Sequence, residues 1–430
     1  MTATPGGPLS GVAAVPGDKS CSHRSLIFGA MATGETRIEG LLESDDVLAT
    51  ARAVAALGAE VGRDGSAWVV RGRPWGTPEG AIDCGNSGTA ARLLLGAIAG
   101  REGVVATLTG DASLSSRPMR RVAAPLAAMG TRIEGGDRLP LTIHGAKLGG
   151  IDHVNVPASA QVKSAILLAG LGTDAPVRVI EPVPSRDHSE IMLGAFGVEV
   201  AVTEEEGARA VTLGAQRALT GTSVSVGRDP SSAGFPLVAA AIVPGSEVTV
   251  HGMLVNPSRT GLYEVLEAMG AQIVFSNERS QSGERVADVT VRGSALRPCN
   301  VAAEAVPAMI DEIPILGVAA AFADGTSVID GLAELRVKES DRLAAVIAGL
   351  TACGVEARAE GDTLYVVGRG PGSVSGGGTV TTHGDHRIAM AFLTLGLAAQ
   401  SPVTVDEPEM IATSFPGYAD LMRALGAEIA

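Results

Sequence analysis

Aromatic residues make up only 3% of the 430-residue chain, and the formal net charge is −14. Binding along a nucleic acid needs a basic face and aromatic platforms for bases, and binding an anionic membrane needs a basic face too. Both functions are excluded as broad surface properties, although a small anion needs only a local cationic pocket. Lysine is rare: Lys19, Lys147, Lys163 and Lys338 are the four, and arginine carries the remaining positive charge. The four cysteines, Cys21, Cys84, Cys299 and Cys353, form no CxxC pair and no metal-ligand spacing. They read as reduced thiols of a cytoplasmic protein. Residues 1–8 offer no basic, then apolar, export signal, and the apolar stretches at 166–172 and 236–244 are too short to span a bilayer. His23, His188, His383 and His386 are dispersed without an HExxH, so no metal is expected. No GxGxxG follows a strand, no GxSxG is present, and the surroundings of Lys19 are not a P-loop, so nicotinamide, flavin and serine-hydrolase chemistry are not indicated.

What the chain has in quantity is small apolar residues and 56 glycines, arranged as a repeat. A helix-like stretch, a glycine, a small residue and alternating apolar residues recur at Gly58, Gly130, Gly197, Gly270, Gly354 and Gly426, spaced 67 to 84 residues apart. In phase with them stand six polar helix starts: Lys19-Ser20, Asn86-Ser87, Ser159-Ala160, Asp229-Pro230, Asp311-Glu312 and Asp385-His386. Strands follow near 36–38, 104–108, 177–180, 247–250, 326–329 and 403–405. Each unit therefore reads strand, helix, strand, helix, strand, strand, an α/β repeat too long for a solenoid. In each, the first helix is rich in Ala, Leu and Gly and is expected to be buried; the second is partly exposed. A chain of this length divides into two domains, so three units fall to each.

Cations collect at the helix starts. The first helices carry Lys19, Arg24, Arg92, Lys163 and Arg387, and the second carry Arg117, Arg120, Arg121, Arg186, Arg259, Arg336, Lys338 and Arg342. A helix N-terminus already presents free N–H groups and partial positive charge, so a cation placed there opposes the helix dipole unless an anion offsets both. As a set these residues read as anion binders, whereas any single arginine is more often a solvated one. Asn86-Ser87-Gly88-Thr89 reads either as a plain cap and turn or as a place where a ligand approaches the Gly88 backbone. Asp311 and Glu339 are candidate acid–base carboxylates; Glu339 stands beside Lys338 and Arg342, which favour its ionised form. A lone Asp where Asp311 stands is more often a simple N-cap, and a capping role is also the plainer reading of His386 between Asp385 and Arg387.

Gly17-Asp18-Lys19-Ser20, Asn86-Ser87-Gly88-Thr89, Arg117-Pro118-Met119, Ser159-Ala160-Gln161, the run Arg336 to Arg342 and the run Asp385 to Met390 resemble, in order, the signature segments of the EPSP synthase family. The resemblance spans essentially the whole chain. It implies two similar inverse α/β barrel domains of three repeats each, residues 19–228 inserted between 1–18 and 229–430, with the active site in a cleft between them. It implies transfer of the enolpyruvyl group of phosphoenolpyruvate to the 5-hydroxyl of shikimate 3-phosphate by addition and elimination, in the shikimate pathway to chorismate and the aromatic amino acids. No metal and no organic cofactor is required, and a monomer is expected. By position, Lys19, Ser20, Arg24, Ser159, Ala160, Gln161, Arg186, Asp311 and Lys338 would hold shikimate 3-phosphate. Lys19, Asn86, Gly88, Arg117, Gln161, Arg342, His386 and Arg387 would hold phosphoenolpyruvate. Asp311 would act as base, and Glu339, with Lys19, would handle protonation of the methylene carbon. Ser159 to Lys163 and Arg186 to Glu190 are similar to the divergent class that includes glyphosate-tolerant members. A lysine that many members carry before Thr-Phe-Pro is missing in 411–416, while Gly88 is retained where tolerant members can have Ala. Intermediate sensitivity is expected. The sister transferase acting on UDP-N-acetylglucosamine shares the repeats but has Lys-Asn where this chain has Lys19-Ser20, and its catalytic-loop cysteine has no counterpart here.

Overall fold

A computed structural model describes residues 1–430. The chain divides into two compact units. One comprises Gly17–Val226 together with Gln281–Glu284; the other comprises Met1–Pro16, Gly227–Ser280 and Arg285–Ala430. The expected crossings lay near Asp18 and Arg228, and the transfer of the short 281–284 segment had no signal in the sequence. That segment is the tip of the hairpin formed by Gln272–Gln281 and Glu284–Arg292.

Twelve helices carry the repeat. They are α1 (Lys19–Met31), α2 (Asp45–Ala56), α3 (Gly88–Ala99), α4 (Arg120–Met129), α5 (Ala160–Gly170), α6 (His188–Ala195), α7 (Pro230–Ile242), α8 (Gly261–Ala268), α9 (Ile313–Ala321), α10 (Arg342–Ala352), α11 (His386–Gly396) and α12 (Tyr418–Ala424). Odd-numbered helices are the first of each repeat and even-numbered ones the second. No helix is long and apolar enough to cross a membrane. Every residue of α7 and of α9 is buried, so these helices have no solvent face and show no amphipathic stripe. In the unit holding the N-terminus, α7, α9 and α11 pack against one another. In the other unit α3 and α5 cross so closely that a Cβ on Gly96 would stand 2.2 Å from the Ala165 carbonyl oxygen. Alanine and glycine dominate the first helices because only small residues allow that approach.

Six four-stranded sheets accompany the helices. The second repeat shows the pattern: Ile82–Asp83 pairs in parallel with Val105–Thr109, which pairs antiparallel with Leu141–His144, which pairs antiparallel with Arg132–Glu134. The chain closes each set of three repeats on itself. Ser223–Ser225 supplies the first strand of the first repeat's sheet. The N-terminal segment, expected as one strand, is two: Ser10–Val12 joins the fourth repeat's sheet, and Thr2–Thr4 lies between Val403–Val405 and Glu428–Ile429 in the sixth.

The glycine of the repeat has one physical task. Gly58, Gly130, Gly197, Gly270, Gly354 and Gly426 all have positive φ, between 78° and 117°. Each follows a second helix. In all six the next residue donates its N–H to the carbonyl five positions back, as Thr131 does to Leu126 and Val355 to Leu350. This left-handed closure needs a residue without a Cβ, and it aims the chain into the next strand.

The polar starts are N-caps in five repeats. Asp18 accepts from the Cys21 N–H at 2.7 Å, Ser87 from Ala90 at 3.1 Å, Ser159 from Val162 at 3.5 Å, Asp229 from Ser231 at 3.0 Å and Asp385 from Arg387 at 3.0 Å. Helix α9 has no side-chain cap, and Asp311 sits in the single 3₁₀ turn Ile310–Glu312 before it. The N-cap reading of Asp311 is therefore corrected: its carboxylate points elsewhere.

Candidate active site

In the unit of Gly17–Val226, the starts of α1, α3 and α5 and the segments before α4 and α6 carry the expected anion-binding residues. Lys19 opens α1, and its Nζ lies 2.5 Å from Asp46 Oδ2 at the start of α2. Arg24, one turn further on, is buried. It donates Nε to Ser189 Oγ at 2.8 Å, Nη2 to Ser164 Oγ at 2.8 Å and Nη1 to the Ser20 carbonyl at 3.0 Å. Two of its donors thus anchor α1 to α5 and α6, a third returns to its own helix, and burial pulls its guanidinium below the ordinary arginine range. Arg24 holds the floor under Ser20 as much as it offers a hand to a ligand.

Asn86 and Arg117 belong to one hydrogen-bonded set, and Arg92 and Gln161 to a second. Asn86 donates Nδ2 to Asp111 Oδ2 and accepts from Arg117 Nη2, both at 2.7 Å. Arg117 Nη2 also donates to Ser113 Oγ at 3.0 Å. Gln161 accepts from Arg92 Nη1 at 2.7 Å and donates to Thr89 Oγ1 at 2.9 Å. Gly88 is the first residue of α3, and a Cβ there would stand 2.7 Å from Arg92 Nη1. The glycine leaves room for a guanidinium over the helix start, which answers the open question of why a cap-like segment carries it. Ser159 caps α5 and Ala160 begins it; Arg186 is half-buried in the turn before α6.

In the unit containing the N-terminus, carboxylates and cations interlock at the starts of α9, α10 and α11. Arg342 is fully buried. Its Nε donates to Asp385 Oδ2 at 2.8 Å, its Nη1 to Asp311 Oδ1 at 3.2 Å, and its Nη2 pairs with Glu339. Burial works against its charge, but Asp385, Glu339 and Asp311 outweigh burial and push it further up. Burial likewise opposes ionisation of Asp385, and the Arg342 guanidinium overcomes that and holds the carboxyl below its usual range. Ser340 donates to the same carboxylate at 3.0 Å. Lys338 Nζ lies 3.2 Å from Asp311 Oδ1, so that oxygen faces two cations. Arg387 Nη1 donates to the Asp311 carbonyl at 3.1 Å and stands 3.4 Å from Glu312 Oε1. His386 is buried, with Nδ1 3.4 Å from Thr413 Oγ1. Asp385, not His386, caps α11.

Three helix-start cations leave the anion-binding set. Lys163 is fully buried, its Nζ 2.7 Å from both Glu181 and Glu190. Arg259 is buried against Asp229 Oδ1 and Ser231 Oγ, each at 2.9 Å. Arg336 pairs at the surface with Asp362 at 3.0 Å. Lys163 and Arg259 find their carboxylates 18 to 30 residues away, beyond the reach of a helix-start pattern, while Arg336 also meets Asp341, five residues on, at 3.6 Å. Asp46 and Asp385 were the residues missed. Asp46 has a faint signal as the second of two acids opening a helix; Asp385 had been read only as a flank of His386. One further correction concerns the histidines: His188 is not isolated. Its imidazole comes within 4.8 Å of donor atoms of Asp18 and Cys21.

Cations at the helix starts of both units, interleaved with carboxylates in one of them, are the composition expected of an enzyme for anionic substrates. The comparisons narrow that class. Residues 3–422 match the family described as EPSP synthase (3-phosphoshikimate 1-carboxyvinyltransferase). The chain is 55% identical to a 3-phosphoshikimate 1-carboxyvinyltransferase of Phenylobacterium zucineum, covering 100% of this chain and 95% of that protein. It is 56% identical to one of Methylorubrum extorquens, covering 100% and 97%. The solved EPSP synthase of Acinetobacter baumannii is similar with a TM-score of 0.88 and 41% identity, over 100% of this chain and 99% of that one. The chain belongs to the EPSP synthase family.

Proposed function

We propose that the protein transfers the carboxyvinyl group of phosphoenolpyruvate to the 5-hydroxyl of shikimate 3-phosphate and releases phosphate, acting in the cytoplasm as a monomer. The observation that carries the reading is the Asp311 carboxylate: it is released from capping α9 and held 3.2 Å from both Lys338 Nζ and Arg342 Nη1. A carboxylate placed among cations, beside helix starts able to hold two anions, has the composition an addition–elimination reaction needs.

In this reading Asp311 takes the proton of the 5-hydroxyl as its oxygen attacks C2 of phosphoenolpyruvate. Glu339, with Lys19, delivers a proton to C3, giving a tetrahedral intermediate. Glu339, now a carboxylate, then takes a proton back from the new methyl group as the C2–O bond to phosphate breaks, which restores the double bond and expels phosphate. Lys19, Asn86, Gly88, Arg117, Gln161, Arg342, His386 and Arg387 hold phosphoenolpyruvate. Lys19, Ser20, Arg24, Ser159, Ala160, Gln161, Arg186, Asp311 and Lys338 hold the acceptor. Binding must displace existing partners, because Lys19 is paired to Asp46 and Arg342 to three carboxylates. The ion pairs keep the cations positioned before the substrates arrive.

The test is phosphate release from purified protein given both substrates, with and without a chelator. Release that requires both substrates and survives chelation is the expected result. No release with shikimate 3-phosphate, or release from phosphoenolpyruvate alone, contradicts the reading. Glyphosate inhibition is expected to be intermediate, and inhibition equal to that of an ordinary sensitive member contradicts that part.

A further inference from the structure

Near the start of α1, outside every residue assigned to the reaction, a buried Asp18, Cys21 and His188 group together, and Glu284 from a third chain segment meets His188. Cys21 Sγ lies 3.7 Å from His188 Nδ1, and the same nitrogen lies 2.6 Å from Glu284 Oε1. Donor atoms of Asp18, Cys21 and His188 all fall within 4.8 Å of one another. Asp18, Cys21, His188 and Glu284 are all buried. Asp18 and Cys21 share the first turn of α1, His188 opens α6, and Glu284 comes from the tip of the 281–284 hairpin.

We propose that Asp18, Cys21, His188 and Glu284 form a binding site for a thiophilic divalent cation such as Zn²⁺. Sulfur, imidazole nitrogen and carboxylate oxygen on one centre are the donor set that Zn²⁺ and Co²⁺ accept and that Mg²⁺ and Ca²⁺ disfavour. Two of the separations can be set against those of a four-coordinate site. With ordinary bond lengths, the edges of a tetrahedral site are about 3.6 Å from nitrogen to sulfur and about 3.3 Å from nitrogen to oxygen. The Cys21–His188 separation already matches, and the His188–Glu284 contact must open by about 0.7 Å as its hydrogen bond is replaced by two metal bonds.

Two of the ligands flank residues of the reaction: Asp18 precedes Lys19-Ser20, and His188 follows Arg186-Asp187. On the functional reading above, an occupied site restrains both segments that contact the acceptor, and Zn²⁺ raises the KM for shikimate 3-phosphate. Metal binding itself does not depend on that reading.

Chelator-treated full-length protein would be titrated with Co²⁺, followed by absorbance and by metal content after gel filtration. The expected result is one Co²⁺ per chain with a thiolate-to-cobalt charge-transfer band. The band disappears in Cys21→Ser, persists in Cys84→Ser, and the Kd rises at least about tenfold in His188→Gln. Absence of the band in the unaltered protein, its survival in Cys21→Ser, or its loss in Cys84→Ser overturns the site. If binding is confirmed and the KM does not move, the site stands and its coupling to the reaction falls.

Discussion

In the unit of Gly17–Val226, Arg24, Arg92 and Arg117 donate to serine hydroxyls, side-chain amides and main-chain carbonyls. In the other unit, Lys338, Arg342 and Arg387 stand among Asp311, Glu312, Glu339 and Asp385. The same repeat, with the same helix starts, has been furnished in two ways. Lys19 and Lys163 are the exceptions in the first unit, paired to Asp46 and to Glu181 and Glu190; a neutral partner holds a cation in place without opposing its charge. Carboxylate partners use up that charge and supply groups that accept and return protons. The first arrangement suits binding and the second suits chemistry, in keeping with the acid–base roles proposed for Asp311 and Glu339, which precede α9 and α10. The cap pattern says the same at the level of one helix: five carboxylates or hydroxyls are spent on caps, and Asp311 is the one that is not.

The largest way to break this comparison is Arg342→Met. It strands the buried Asp385 without its guanidinium, and breaking such a pair costs about 3–5 kcal/mol. Thermal or denaturant unfolding should show the loss, and Arg342→Met with Asp385→Asn should recover part of it, a coupling that a double-mutant cycle measures. An additive cycle contradicts the pairing. The same pair sets an acid limit. Asp385 is depressed in the folded state, so its stabilisation is present above the unfolded carboxyl range near about pH 4 and fades as pH falls towards the folded value. Between pH 5 and pH 3, Asp385→Asn should therefore lose less stability than the unaltered protein, starting from a lower value. A smaller effect comes from the crossing of α3 and α5. Gly96→Ala sets a methyl against the Ala165 carbonyl and should destabilise by about 1–3 kcal/mol, with melting temperature as the readout. The smallest effect separates capped from uncapped starts. Ser87→Ala should remove about 1 kcal/mol, whereas Asp311→Asn should leave the unfolding midpoint almost unmoved. Equal losses in the two variants would erase the distinction.

The repeat was legible because it is local. A left-handed glycine after a helix and a capping residue before one are dictated within six residues, so Gly58 through Gly426 and Asp18 through Asp385 announced the six units. The sheet partners of the N-terminus were not legible, since Thr2–Thr4 pairs some four hundred residues away with Val403–Val405. Cation fates divided on the same ground. Arg342 has one of its partners, Glu339, three residues away, and the sequence suggested that pairing. Lys163 and Arg259 find theirs 18 and 30 residues away, and nothing local distinguishes them from ligand-facing cations. Asp18, Cys21, His188 and Glu284 are the extreme case, with pairs separated by 167 and 96 residues.

On the proposed mechanism, Asp311 is left out of the capping of α9 so that it can move a proton. Asp311→Asn tests this most directly, with phosphate release and shikimate 3-phosphate binding by calorimetry measured on the same preparation. The account predicts a turnover lowered about 10²–10⁴-fold with the acceptor's Kd changed only a few-fold. Turnover within a few-fold of the unaltered protein, or a loss of binding large enough to explain the lost rate, would contradict it.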